Sequence, residues 1–274
     1  MAESATLDAP AVQTEPDLAA TWRFGEILRD IARGGLAGLA VGVVVGGFGG
    51  RIAMRLIALL IPEATGSSTE NGNRIGDITL GGSLGLIMFA GLFVGIIVGT
   101  IWVVVSPWFP RNLGLRVLAA IPLAIGLGTF VLIRGSNPDF IVLGYDPRVI
   151  VVLLGLVGLV GASMAVVDAW LNRRLPHPRS PTGEVSGVYI VISLIGSLLA
   201  IGVSATFLDQ KLRPVGIALL VSGIATLSWW YLRFRGAERP PLMLRLLGSG
   251  SVIAAVVLGF ALLVPHIRLA LGGS

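Results

Sequence analysis

Seven apolar runs, separated by short polar segments, follow one another along the chain. A helix needs about 20 predominantly apolar residues to cross the hydrocarbon core of a bilayer, and the runs are close to that length. The third run is the shortest and contains Pro122, which predicts a kink or a crossing through a thinned region. The pattern predicts an all-α membrane protein, a bundle of seven transmembrane helices. The predicted spans are residues 34–61, 78–105, 117–133, 148–171, 187–208, 214–232 and 242–264.

Two shorter segments precede the first predicted span. Residues 1–20 carry acidic side chains and few large apolar ones, which is typical of a disordered tail. In residues 21–33 the apolar positions keep helical spacing while charged residues take the other side, so this segment predicts an interfacial amphipathic helix. We expect residues 34–274 to form the seven-helix transmembrane domain.

Composition agrees with a membrane protein and limits the possible partners. Hydrophobic residues make up 54% of the chain and charged residues 13%, with a mean hydropathy of +0.89. A soluble domain carries about 25% charged residues. The net charge is +5, but the basic residues are scattered over short loops. We therefore expect membrane lipids as partners and no nucleic acid.

The distribution of basic residues predicts the orientation of the chain. If the loops alternate between the two sides of the membrane, twelve basic residues fall on the side of the N-terminus and six on the other. Loops rich in Lys and Arg stay in the cytoplasm. All six tryptophans lie at span ends on that same side. The prediction is a multi-pass protein with its N-terminus inside and its C-terminus outside.

Glycines recur at every fourth position of the first predicted span and again in the second. This spacing places them on one helix face, where a second helix can approach closely. The pattern predicts a glycine zipper between the two spans, with a flexible or discontinuous helix at residues 46–50 as the alternative. The predicted packing residues are Gly34, Gly38, Gly42, Gly46, Gly50, Gly91, Gly95 and Gly99.

Arg51 and Arg55 lie inside the first apolar run. A charge at that depth costs roughly 2.5–3.5 kcal/mol on insertion scales, so both side chains should face protein or water. One interpretation is an ion pair with a carboxylate of an outer loop, with Asp77 as the leading partner. The other is a binding site for an anion or a lipid headgroup. The anion-binding candidates are Arg51, Arg55 and Arg74, and the candidate ion-pair partners are Asp77, Glu70 and Asp139.

Enzyme chemistry has little support in the sequence. The chain has no cysteine and two histidines, which lie far apart, so we expect no metal centre and no cofactor. Intramembrane catalysis needs a nucleophile with a base, paired carboxylates or a metal cluster. Asp168 is the one carboxylate clearly inside a predicted span, and we expect it to have no intramembrane partner. No catalytic residue is predicted.

Three segments carry a resemblance: GGFGGRIAMRL at residues 46–56, TENGNRIGDITLGG at residues 69–82 and NPDF at residues 137–140. They resemble segments of uncharacterised bacterial polytopic membrane proteins. The resemblance covers mainly the first three spans and their outer loops. It implies one outer surface around Arg51, Arg55, Asp77 and Asp139, and it implies no activity. The predicted location is a bacterial cytoplasmic (inner) membrane.

Two functional hypotheses follow. The first is a non-enzymatic integral membrane protein, an accessory or structural component that packs against lipid or protein partners, including further copies of itself. The second is a transporter or channel for a small anion that uses Arg51 and Arg55. A water-filled path past Arg51 favours the second, and a closed bundle with a large apolar lateral surface favours the first.

Overall fold

The computed structural model describes residues 15–67, 80–133, 143, 146–177, 187–191, 193, 196 and 213–271. All regular structure in these ranges is helical. The first helix begins at Glu15, so the last residues of the predicted tail are helical. Pro16 and Asp17 suit the first turn, since proline needs no amide partner there and an acidic group complements the helix dipole.

The first two spans are long helices interrupted by π-helical geometry. Helix α1 runs from Glu15 to Val41, continues as a first π-segment, Gly42–Gly49, and then becomes α2, Gly50–Leu60. Backbone angles at both joints are helical, with φ −67° and ψ −41° at Val41, and φ −60° and ψ −39° at Gly50. The helix is therefore continuous through residues 46–50.

The second span has the same construction. It consists of α3, Leu80–Leu86, a second π-segment, Ile87–Phe93, and α4, Val94–Val105. A 3₁₀ turn at Ser106–Trp108 ends it. The remaining long helices are α5, Leu113–Leu132; α6, Pro147–Arg174; α7, Arg213–Phe234; and α8, Leu242–Ala270.

Within the described part of the chain, five helices are long and apolar enough to cross a membrane, which agrees with the predicted all-α membrane character. They correspond to the predicted first, second, fourth, sixth and seventh spans. The third predicted span is helical, but its apolar stretch, Leu113–Gly128, is shorter. In the fifth, 187–208, the described residues 187–191, 193 and 196 are helical, and the others lie outside the described part of the chain.

The predicted interfacial helix differs from what the structure shows. Residues 21–33 continue into the first span without a break, as part of α1. Their charged side faces other helices of the bundle, while Trp22 and Phe24 are exposed at 47% and 48%. The reason is that the partners of these charges lie on α6 and α7, which are distant in the sequence, so the local periodicity of residues 21–33 does not show them.

The first two spans touch backbone to backbone at their glycines. A Cβ placed on Gly38 would overlap the backbone of Gly95 and Gly99, and one placed on Gly42 would overlap Gly91 and Gly95. From the other side, a Cβ on Gly95 would lie 2.8 Å from the carbonyl oxygen of Gly38. Only glycine permits this separation. Gly34 lies at the end of the contact, where its Cβ would be 2.5 Å from Cγ2 of Val103.

The two π-segments face one another, and they shift the row of close contacts. Past Gly42 the buried glycine is Gly47, whose Cβ would lie 3.1 Å from Cγ1 of Ile87, whereas Gly46 and Gly50 are half-buried. A π-helix closes i to i+5 hydrogen bonds, so its repeat is longer than four residues. The register of the glycine row thus moves by one position where the helix geometry changes.

Helix α1 occupies the centre of the bundle, in contact with α4, α6 and α7. Helix α5 packs on α6 and α8, and α8 also packs on α7. The main core cluster includes Val41 from α1, Val105 from α4 and Met164 from α6, and a smaller cluster lies around Ile57 and Val149. We call the end of the bundle at which Asp168 lies the Asp168 end, and the end at which Arg55 lies the Arg55 end.

At the Arg55 end, Asp146 caps α6. Its carboxylate accepts a hydrogen bond from the backbone N–H of Arg148 at 2.7 Å, and Pro147 opens the helix. The side chain of Arg148 also donates to this carboxylate. These bonds lower the pKa of Asp146 below its ordinary value. The cap and its paired arginine fix where the fourth predicted span begins.

Candidate functional site

Asp168 lies at the centre of a buried ion-pair cluster. It belongs to α6, and the residue is 1% exposed. Nε of Arg33 donates to Oδ1 at 2.8 Å, and Nη2 of Arg116 lies 2.9 Å from Oδ2. The Arg116 contact lacks hydrogen-bond alignment, since Oδ2 has no hydrogen-bond partner, so it is an ion pair at contact distance. One carboxylate thus joins α1, α5 and α6.

Asp30 and Glu26 extend the cluster along α1 to α7. Asp30 accepts from Nη1 of Arg33 at 2.9 Å and from Nη1 of Arg233 at 2.7 Å, one on each carboxylate oxygen. Nη2 of Arg233 donates to Glu26 at 2.8 Å. Residues 26, 30 and 33 fall on one helix face because helical neighbours are three or four positions apart. That face of α1 is therefore bonded to α7 through Arg233 and to α6 through Arg33.

Arg29 binds the C-terminal end of α6. Its guanidinium group donates to the side-chain oxygen of Asn172 at 3.1 Å, to the carbonyl oxygen of Asn172 at 2.6 Å and to that of Leu175 at 3.2 Å. The last carbonyl groups of a helix have no partner within the helix and carry partial negative charge. Arg29, at 4% exposed, supplies both hydrogen bonds and positive charge there. Arg29 thus stabilises α6 through amide and carbonyl oxygens and without a carboxylate.

Trp102 lies against Arg116. The guanidinium carbon lies 5.2 Å from the centre of the indole ring, and Trp102 itself is 3% exposed. Phe109 packs against the same indole, with ring centroids 5.2 Å apart. A cation over an indole face is attracted by the ring quadrupole, and more strongly when water is excluded. Arg116 is therefore stabilised by both an anion and a π-face.

The cluster joins four helices. It contains four arginines, Arg29, Arg33, Arg116 and Arg233, and three carboxylates, Glu26, Asp30 and Asp168. Opposite charges in contact offset the large cost of removing each one from water. Within the described ranges no group of three His, Cys, Asp or Glu side chains could hold a metal ion. The geometry is that of a static crosslink between helices.

The expectation that Asp168 lacks an intramembrane partner is wrong, because two arginines contact it. Arg33 and Arg116 each lie where a helix enters its apolar stretch, and sequence reasoning assigned them to the membrane surface. A usable signal was present: the buried carboxylate and both arginines fall on the same predicted side of the membrane. Pairing opposite charges that lie at the same predicted depth in the membrane, and not only those close in the sequence, would have suggested the cluster.

The predicted arginine pair lies on α2 at the other end of the bundle. Arg51 is half-buried, and its Nε atom is buried without a hydrogen-bond partner, whereas Arg55 is exposed. The other residues predicted for this site, Arg74, Asp77, Glu70 and Asp139, lie outside the described residues, as do most residues of the resembling segments 69–82 and 137–140. The pairing of Arg51 with Asp77 stays a prediction.

No protein-family model matches the chain, and searches among curated proteins and among solved structures return no match.

Proposed function

We propose that this protein is a non-enzymatic, multi-pass membrane protein that serves as an accessory or structural component, packing against lipid or protein partners. The observation that carries the proposal is the charge cluster around Asp168. Its carboxylates are bonded to arginines of neighbouring helices, so the buried charges connect helices and are not directed at a substrate.

The lateral surface supports the same proposal. Large apolar side chains are widely exposed on it, as at Ile52 (70%), Val151 (68%) and Leu227 (63%). In a soluble monomer such exposure would be a liability, but lipid chains or apolar partner helices can cover it. Small residues also bring α5 close to α8, where a Cβ on Gly259 would lie 2.5 Å from the carbonyl oxygen of Gly126. The bundle is thus tight inside and apolar outside.

The test combines transport with composition. The protein is reconstituted in liposomes and assayed for chloride and phosphate flux, and a detergent-purified sample is weighed by native mass spectrometry. We expect no flux above empty liposomes, and we expect retained phospholipid or a second chain in the mass spectrum. A bare monomer that carries no additional mass would contradict the proposal.

Seven spans with the N-terminus inside are part of the proposal, which places the Asp168 end in the cytoplasm of a bacterial cell. The excess of arginines at that end supports this orientation. Because the chain has no cysteine, single cysteines give a clean readout. We expect cysteines at Ser68 and Ser136 to react with an impermeant reagent in intact cells, and a cysteine at Ser180 to react only after lysis. Reaction at Ser180 in intact cells would invert the orientation.

The second candidate function, anion transport or conduction, is favoured by one observation, the buried and unbonded Nε of Arg51. A guanidinium group with spare donors is a suitable contact for a carboxylate or phosphate. If this function is correct, Arg51→Met abolishes flux while Arg268→Met, at an exposed arginine of α8, leaves it unchanged. Anion flux that is abolished by Arg51→Met and unchanged by Arg268→Met would contradict the accessory role and support anion transport. Flux that survives Arg51→Met would exclude Arg51 as the anion site.

A further inference from the structure

Two helices carry the same pair of side chains on their exposed faces. On α6, Trp170 is 54% exposed, and the guanidinium carbon of Arg174 lies 5.9 Å from the centre of its ring. At the end of α7, Tyr231 is 59% exposed, and the guanidinium carbon of Arg235 lies 5.7 Å from the centre of its ring. In each pair the arginine follows the aromatic residue by four positions, so both side chains lie on one face of one helix. We call these two local surfaces the arginine–aromatic pairs.

The two pairs lie at the same depth of the bundle. Residues earlier in α1 bond to residues later in α6 and in α7, so both helices are antiparallel to α1. Asp168 of α6 bonds to Arg33 and Arg233 of α7 bonds to Asp30, and these two α1 residues are only about 4.5 Å apart along the axis. The aromatic residue of each pair is two positions from the α1-bonded residue of its own helix, after Asp168 on α6 and before Arg233 on α7. The two rings are therefore within about 3 Å of one another in depth, and each arginine is about 6 Å further toward the Asp168 end.

Exposed apolar side chains continue each pair toward the middle of its helix. On α7 they are Leu227, Ile224 and Leu220, at helical spacings of three and four from Tyr231. On α6, Val166 lies four positions before Trp170 and is 49% exposed. Each face thus runs from apolar side chains to an aromatic ring and then to an arginine. This is the order in which a bilayer changes from acyl chains through the interface to the phosphate groups.

The guanidinium groups of both pairs have donors available. Within the described part of the chain, neither Arg174 nor Arg235 has a hydrogen-bond or ion-pair partner. The ring attracts the positive charge of the guanidinium group, whereas the five N–H donors lie in the plane of that group and are not used by this contact. An arginine that rests on a ring also has less side-chain entropy to lose when a ligand binds. Each pair therefore presents a partly oriented cation with unused donors.

We propose that each arginine–aromatic pair binds one anionic phospholipid. The arginine donates to the lipid phosphate, the aromatic ring lies beside the glycerol backbone, and the apolar side chains of the same helix face contact an acyl chain. Arginine suits a phosphate because it can donate two parallel hydrogen bonds. An anionic headgroup is preferred because the choline of a zwitterionic lipid adds a positive charge that the arginine repels. The proposal deepens the lipid-binding part of the proposed function and rests on it.

The experiment compares phosphatidylglycerol with phosphatidylcholine of identical acyl chains, each titrated onto the full chain in detergent and counted by native mass spectrometry. We expect the first two molecules of phosphatidylglycerol to bind more tightly than phosphatidylcholine. An arginine near an anionic lipid raises affinity about fivefold, so Arg174→Gln with Arg235→Gln should weaken both of these binding steps by about that factor.

The matched control is Arg173→Gln with Arg239→Gln. These arginines are exposed at the same end of the bundle, and within the described residues neither contacts an aromatic ring. The control removes the same net charge as the test variant, but it leaves both pairs intact. It should weaken phosphatidylglycerol binding by less than about twofold, because salt screens charges that do not contact the lipid.

Three results would overturn the proposal. The first is equal binding of the two lipids by the parent. The second is an equal loss of phosphatidylglycerol binding in the test and control variants, which would mean that general surface charge attracts the lipid. The third is displacement of phosphatidylglycerol by inorganic phosphate at the same concentration, which would make the pairs sites for free anions. In none of these cases does the parent conduct ions or lose all bound lipid and protein, so a failure here is distinguishable from failure of the proposed function.

Discussion

Asp168→Asn is expected to destabilise the protein by about 3–5 kcal/mol, the range found when one partner of a buried ion pair is removed. Asparagine has nearly the same shape, so the loss is one of charge and not of packing. Arg33 keeps Asp30 and Asn172 as partners. Arg116 keeps no carboxylate in contact among the described residues and stays at the indole of Trp102. Thermal melting in detergent, followed by intrinsic fluorescence, measures the effect.

A second substitution separates this charge effect from a general loss of structure. In the Asp168→Asn background, Arg116→Met removes the cation that has lost its partner and should recover much of the stability, because neutral pairs avoid an uncompensated buried charge. The matched control is Glu238→Gln, at an exposed carboxylate of the same end, which should melt like the parent. If the two losses of stability simply add, Asp168 and Arg116 are not coupled.

Gly42→Leu is expected to separate the first two spans. Even the Cβ of the new side chain would overlap the backbone of Gly91 and Gly95, and no rotamer can relieve that contact. Overpacking in a close-packed interior costs about 1–3 kcal/mol and occasionally more, and here the overlap involves rigid backbone. Gly42→Ala should be milder but still destabilising, although alanine is the better helix former. The measurement is again the melting temperature.

Gly35→Ala provides the matched control on the same helix. A Cβ at Gly35 meets no atom within 4 Å, so the substitution adds helix propensity without a clash. It should be neutral or stabilising by up to about 1 kcal/mol. If Gly42→Leu melts at the same temperature as Gly35→Ala, the contact between the glycine backbones does not hold the two spans together.

The sequence was sufficient for the helical architecture because the apolar runs are long and the solvent is a bilayer. Without water, every backbone N–H must bond within the segment, so a run of this length can hardly be anything but helix. The fourfold glycine spacing likewise marks one face of a helix, the face on which Gly38 and Gly42 meet Gly95 and Gly99. Local rules determine both features.

The charge cluster depends on pairs that local rules cannot relate. Arg33 and Asp168 are 135 positions apart, and Arg233 and Asp30 are 203 apart. Within its own segment, the charged row of α1 has the same spacing as that of a helix lying on a membrane surface. Only the positions of α6 and α7 show that the row faces protein. Tertiary contacts, and not the local sequence, therefore decide whether such a helix lies at the interface or at the centre of the bundle.

The π-segments were also beyond sequence reasoning, yet they control where Arg51 points. A regular α-helix turns by roughly 100° per residue, and the row of close contacts lags by one residue between Gly42 and Gly47. Every side chain of α2 is consequently rotated about the helix axis by roughly that angle, relative to an uninterrupted α-helix with the same α1. The direction in which Arg51 and Arg55 point from the helix axis thus depends on the backbone hydrogen bonding of the π-segment that precedes them. A single-residue deletion inside the first π-segment would rephase α2 and turn both arginines toward a different neighbour without altering either one.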